Sequence, residues 1–221
     1  MLRKRDLPPY QRKAALFMRR TILLVATMAL TLLVASGVAL AVTKIGTDGP
    51  DTLRGTNRDD TLIGKGGNDI LLALAGKDTL LGGPGKDVVL GGSLSQYSGG
   101  DKNLVGGDGN DIVVGGRGSD NVLGDEGNDL LIDGPARELS VDKVSGGDGN
   151  DVLLVDNAPA AKDIATCGGG LDRILADRKD LVAPDCERVR IVHGSLEEVK
   201  QQEDEFFQSI PPSFFEGLQQ P

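Results

Sequence analysis

A nine-residue period constrains this chain more than any other feature. In GGDGNDIVV, residues 106–114, a glycine-rich turn ends on Asp111 and runs into three β-branched residues, and GGDGNDVLL at 146–154 repeats the pattern. Counting by nines upstream from Gly106 gives frame 97–105, a break at 91–96, then 82–90, 73–81, 64–72, 55–63 and 46–54. Downstream lie 115–123, 124–132, a break at 133–136, then 137–145, 146–154 and an outlying frame at 167–175. Residues 155–166 are too degraded to frame. In these twelve frames the eighth place is always Leu, Val or Ile, from Leu53 to Ile174. The sixth is Asp in eleven, with Lys102 the exception, and the fourth is Gly in ten, with Arg58 and Ser140 departing. A solvated linker has no reason to hold an aliphatic residue at every ninth place, so the segment reads as an ordered internal repeat.

Each column has a physical reading. A strand of about three residues follows a turn of about six, and successive strand side chains alternate faces. The eighth residue therefore points inward, while the seventh and ninth, where Thr, Asn, Lys and Arg mix with aliphatics, point outward. Glycine supplies turn angles that a Cβ forbids. An Asp closing each turn places a carboxylate at a fixed position, and hard cations such as calcium take six to eight oxygens from carboxylates and carbonyls. Composition agrees: 32 Gly, no Trp, two Tyr and five Phe leave little for an aromatic core. Residues 1–41 hold seven basic side chains and one Asp, so residues 42–221 hold 17 basic and 32 acidic ones, a net of -15. Nucleic-acid phosphates would repel such a chain, whereas cations suit it.

GGPGKDVVL, GGDGNDIVV, GGRGSDNVL and GGDGNDVLL resemble the nonapeptide repeats of the RTX, or haemolysin-type, calcium-binding family. The resemblance covers residues 46–154, with the outlier at 167–175. It implies an all-β parallel β-roll solenoid of about twelve repeats, two to a turn, with calcium between stacked turns. It carries the metal-ligand role onto Asp51, Asp60, Asp69, Asp78, Asp87, Asp111, Asp120, Asp129 and Asp151. It pairs Asp51 with Asp69, Asp60 with Asp78, Asp69 with Asp87 and Asp111 with Asp129, and leaves pairs across the two breaks in doubt. Lys102 is expected to remove a site, its ammonium replacing some of the missing positive charge. Asp108 has Pro84, Arg117 and Glu126 at equivalent places, so a backbone carbonyl is the expected ligand there. With so thin a core and such rows of carboxylates, folding is expected to be coupled to calcium binding.

The flanks carry separate signals. Arg19-Arg20, the apolar run Thr21 to Val34 and Ala39-Leu40-Ala41 form the three parts of a secretory signal peptide over residues 1–41, with Met18 an alternative start. The rival reading is an uncleaved anchor, since Thr21 to Val42 is 22 uncharged residues; only then is a membrane a partner. Cys167 and Cys186 are the only cysteines, and an even count in an exported chain favours a disulfide. A reactive thiol is one alternative; a metal site is another, with His193 the sole His. The repeats then occupy 42–154, a last repeat and capping segment 155–194, and an acidic, Phe-containing tail 195–221. In the tail, Ser195 and Glu198 form a capping box for a helix that ends at Pro211-Pro212. A frayed end and a hydrophobic cap or partner-docking segment both fit it. No HExxH, GxSxG or Walker motif is present. The expectation is a secreted, non-enzymatic calcium-binding protein. The alternative is an extracellular adhesion module that takes a cell-surface or matrix partner in a calcium-dependent way.

Overall fold

A computed structural model of the protein describes residues 40–92, 100–101, 103–134, 140–156, 161–192 and 196–219. The leader up to Ala39, Lys102, His193 and the cap Ser195 lie outside the described residues.

The short apolar runs form strands and the glycine-rich runs form the turns between them, alternating between two sheets. One sheet holds β1 (Thr43–Ile45), β3 (Thr61–Ile63), β5 (Thr79–Leu81), β7 (Asn103–Asp108), β9 (Asn121–Glu126), β11 (Lys143–Asp148), β13 (Ile164–Gly169) and β15 (Leu181–Val182), in that order. The other holds β2 (Thr52–Arg54), β4 (Ile70–Leu74), β6 (Val88–Gly92), β8 (Ile112–Val114), β10 (Leu130–Ile132), β12 (Val152–Val155), β14 (Arg173–Ala176) and β16 (Arg188–Ile191). Each strand from β3 to β14 pairs in parallel with the strands two before and two after it, and β1, β2, β15 and β16, at the sheet ends, have one such partner each. Two nonapeptides therefore make one turn of an all-β parallel solenoid.

Register shows how the irregular stretches are absorbed. Thr43 stands beside Thr61 and Thr61 beside Thr79, steps of one uninterrupted turn. Thr79 then stands beside Asn103, Asn121 beside Lys143 and Lys143 beside Ile164. The register steps exceed one uninterrupted turn across the segments between β6 and β7, between β10 and β11, and between β12 and β13. All three places lie where the chain passes from the even sheet to the odd one. The twelve frames undercount the repeats: the described residues form sixteen rungs. β1 and β13 escape the column search because Lys44 and Ala165 stand in the aliphatic column, whereas β15 and β16 keep Val182 and Val189 there but have Arg178 and Asp185 in place of the turn glycine.

The core is a stack of inward side chains between the sheets. Leu62, Leu71, Leu80, Val89, Leu104, Val113, Val122, Leu131, Leu153 and Ile174 are all fully buried. Burying one such side chain is worth about 1.5–3 kcal/mol, and each rung touches only its neighbours, so stability accumulates along the stack. Cys167 in β13 takes the inward place that a turn glycine holds in other rungs. It forms a disulfide with Cys186, in the turn before β16.

The tail folds into two helices, α1 (Leu196–Ser209) and α2 (Pro212–Gln219). Pro212 opens the second helix, a place where the missing N–H costs nothing. Phe206 and Ile210 pack against Val152, Leu175 and Val192, with Leu130, Leu154 and Phe214 at the margin. The tail therefore covers the outer face of the even sheet. Among the described residues no helix is long and apolar enough to cross a membrane.

Candidate metal centre

Two rows of turns run along the roll, one on each edge. The odd-to-even row is regular: GTDGPD, GKGGND, GGPGKD, GGDGND, GDEGND, GGDGND and CGGGLD, ending on Asp51, Asp69, Asp87, Asp111, Asp129, Asp151 and Asp172. Its second and fourth residues lie in the left-handed region in six successive turns, from Lys65 and Gly67 to Gly168 and Gly170. The even-to-odd row carries Asp60, Asp78, Asp120 and Asp142, together with every insertion.

The closing carboxylates form ladders. In the regular row, the backbone N–H of Asp51 donates to Asp69 Oδ1 at 2.7 Å, that of Asp69 to Asp87 at 2.8 Å, and that of Asp111 to Asp129 at 2.8 Å. The pairs across the breaks join in the same way, Asp87 to Asp111 at 2.7 Å and Asp129 to Asp151 at 2.9 Å. The other row links Asp60 to Asp78 at 2.6 Å and Asp120 to Asp142 at 2.7 Å. All nine predicted ligand residues thus stand in one ladder or the other. Asp101 joins as well, accepting from the Asp78 N–H at 2.8 Å. It supplies the acid that a strict count of nine assigns to the place of Lys102.

The second oxygen of each carboxylate has a different fate. Oδ2 of Asp69, Asp87, Asp111, Asp129 and Asp151 is buried and makes no hydrogen bond among the described residues. Each sits against the glycine that opens its own turn. A Cβ built on Gly64, Gly82, Gly106, Gly124 or Gly146 would meet that oxygen at 2.2–2.4 Å. The same Cβ would meet a main-chain carbonyl of the next turn: Gly82, Gly106, Gly124, Gly146 or Cys167 respectively. Absence of a side chain thus keeps open a space where a bare carboxylate oxygen and a carbonyl oxygen converge.

Burial of these groups costs free energy when they are charged. Burial first, then neighbouring carboxylates, push Asp87 up to about 6, Asp111 and Asp151 to about 7, and Asp129 to about 8, against the opposing effect of a backbone N–H. Asp51, at the open end, is held low by hydrogen bonds from Thr47. A polyvalent cation would satisfy the bare oxygens and favour the ionised form.

Carbonyl oxygens of Asp108, Glu126 and Asp148 already accept the N–H of Gly85, Gly109 and Gly127 one turn earlier. Their side chains instead join Asp125 around a shallow acidic depression of about 460 Å³. The even-to-odd row contains a feature that column counting missed. Asp133, where most turns open with Gly, brings its carboxylate together with those of Asp142 and Asp163, all buried, with ligand atoms within 4.8 Å of one another. Burial, then Asp142 and Asp163, push Asp133 far above the usual carboxylate range. Asp133 and Asp163 fall in a break and in the unframed stretch, which is why the periodicity gave no signal for them.

The family described as the RTX calcium-binding nonapeptide repeat matches in four copies, over residues 45–80, 63–93, 98–131 and 141–157. Comparison with curated proteins gives no match.

Proposed function

Since the RTX calcium-binding nonapeptide repeat matches residues 45–93, 98–131 and 141–157, we propose that the chain is a member of that family, an exported, non-enzymatic calcium-binding protein whose roll folds on its ions. The observation that carries this reading is the row of buried Oδ2 atoms on Asp69, Asp87, Asp111, Asp129 and Asp151, each beside an opening glycine and a carbonyl of the next turn. Carboxylate and carbonyl oxygens are the donors that calcium takes. Bound there, the ion supplies the positive charge without which ionised, buried carboxylates destabilise the fold. The regular odd-to-even row is the main binding edge. Asp133, Asp142 and Asp163 offer a more acidic place on the opposite edge. Export is supported by the Ala39-Leu40-Ala41 cleavage pattern and by the disulfide, which needs an oxidising compartment.

A calcium titration of the full chain tests the core of this reading, with heat followed by calorimetry and β-structure by circular dichroism. Both signals should rise together at sub-millimolar to millimolar calcium, the range of extracellular modules. Nanomolar affinity, or a spectrum indifferent to calcium, would sink it. Mass spectrometry of the secreted product should place its N-terminus at Val42.

An adhesion role is favoured by one feature, the open end of the roll. Ile45 on β1 is exposed, and among the described residues nothing pairs with the outer edges of β1 or β2. Unpaired edges are templates for another chain. Calcium-dependent oligomers in analytical ultracentrifugation would favour adhesion; a calcium-bound monomer favours the simple binder.

A further inference from the structure

The outer face of the even sheet carries an arrangement that ion binding in the turns does not use. Arg173 on β14 and Arg188 on β16 are direct register partners. Ile174 beside Arg173 faces the core, so by strand alternation both arginines project outward. Like charges opposite one another on a sheet destabilise it. Neither arginine forms an ion pair among the described residues, although the next outward arginine, Arg190, pairs with Glu205. In a segment with nearly twice as many acids as bases, a carboxylate partner would be easy to supply.

The arginines open into a cavity of about 410 Å³ between the sheet and the elbow of the α1–α2 hairpin. Arg173 Nη1 donates to Ser209 Oγ at 3.1 Å, and that hydroxyl donates to the Phe206 carbonyl at 2.6 Å, which ties the guanidinium to the elbow. Ile210 and Phe214 line the cavity opposite, an apolar wall facing two cationic forks. The Asn150 side chain also lines it, and accepts the Leu171 N–H at 3.0 Å. Asp151 reaches the lining too, but its Oδ1 accepts the Asp129 N–H and its Oδ2 lies against Gly146, within the turn.

We propose that this cleft binds a small amphiphilic anion: an apolar body, aryl or short alkyl, carrying one sulfonate, sulfate ester, phosphate or carboxylate group. Guanidinium forks match such oxyanions in bidentate fashion. The volume lies in the ordinary range of small-molecule pockets, which pair apolar walls with a few fixed polar groups. The anionic head lies between Arg173 and Arg188 and relieves their mutual repulsion, while the body packs against Ile210 and Phe214.

The test uses the full chain in saturating calcium, with benzenesulfonate, benzyl alcohol and sodium sulfate titrated separately and followed by NMR. Benzenesulfonate should bind saturably with one-to-one stoichiometry, at least about tenfold more tightly than either control. R173Q/R188Q should weaken it by about tenfold or more, as expected for lost charge-assisted hydrogen bonds, while its calcium titration stays unchanged. R173K/R188K should recover only part of the affinity, since lysine keeps the charge and not the fork. Equal binding of benzyl alcohol would reduce the site to an apolar groove, and equal binding of sulfate would reduce it to surface charge. Either result overturns the proposal, as does absence of benzenesulfonate binding or indifference to R173Q/R188Q. Should R173Q/R188Q fail to fold, NOEs between the probe ring and Phe214 in the unaltered chain decide: their presence supports the site and their absence refutes it.

Discussion

At the residue scale, glycines that look alike in the sequence are not equivalent. Gly109 and Gly49 both hold the fourth place of a turn. Gly109 has φ 144°, and a Cβ there would lie 1.4 Å from the carbonyl oxygen of Gly85 in the turn below. At Gly49, in the first turn, the nearest atom would be Thr47 Oγ1 at an ordinary 3.9 Å. Gly109→Ala should abolish calcium-dependent folding or raise its midpoint by at least about tenfold, whereas Gly49→Ala should change stability by no more than about 0.5 kcal/mol. Circular dichroism across a calcium titration reads both. The carboxylates divide in a similar way. Asp129→Asn keeps an acceptor for the Asp111 N–H but removes the charge from a buried oxygen beside Gly124. It should weaken calcium binding by about tenfold, on the scale of one charged hydrogen-bond partner, while Asp108→Asn, on an exposed side chain, leaves it close to unchanged. The pairing of Asp111 with Asp129 was legible because the backbone period sets it. Asp101 was not, since one extra residue moves the acid out of its counted place without moving it out of the ladder.

At the element scale, the last turn and the helical hairpin depend on two fasteners. The Cys167–Cys186 bond closes a loop of 19 residues, which the loop-entropy relation values at about 3 kcal/mol. Cys167→Ser with Cys186→Ser should therefore release β15 and β16 first, seen as fast amide exchange in 181–191 while β3 to β9 stay protected in calcium. The hairpin docks through Phe206, only 3% exposed, onto Val152 and Leu175. Phe206→Ala removes the largest part of that contact, a change that costs about 3–5 kcal/mol in a packed core. It should detach α1 and α2 and make 196–219 sensitive to protease without shifting the calcium midpoint of the roll. The paired cysteines, the helix and its proline boundary were readable in the sequence. The docking face was only half readable: the outward seventh and ninth places turn aliphatic at Leu130, Val152, Leu154 and Leu175. Nothing in the period says that the tail returns to cover them, because that contact joins two segments with different repeats.

At the scale of the whole molecule, two rows of buried acids make the fold a balance between protons and cations. In the ion-free roll, burial and then neighbouring carboxylates raise Asp87 to about 6, Asp111 and Asp151 to about 7, and Asp129 to about 8, from an ordinary value of 3.8. Between that ordinary value and the raised ones, the folded chain holds more protons than the unfolded chain. Stability then falls as pH rises: it is fully present below the unfolded value of 3.8 and is lost progressively up to about pH 8. Calcium reverses the sign, because its ligands must be deprotonated and binding expels the protons. Ion-free protein should therefore gain β-structure and melt at higher temperature on acidification from about pH 8 to about pH 4.5. In millimolar calcium the same protein should melt at higher temperature as pH rises over that interval, so that the two melting curves cross. The proton release on adding calcium, measured in buffers of different ionisation enthalpy, should grow as pH falls from about 8 to about 5, because more of the raised carboxylates then hold a proton for the ion to expel. A calcium-free chain that shows no cooperative melt anywhere between about pH 4.5 and pH 8 would mean that protons alone do not neutralise the ladders and that the roll assembles only with its ions. A crossing would show that protons can stand in for calcium in neutralising the same ladders.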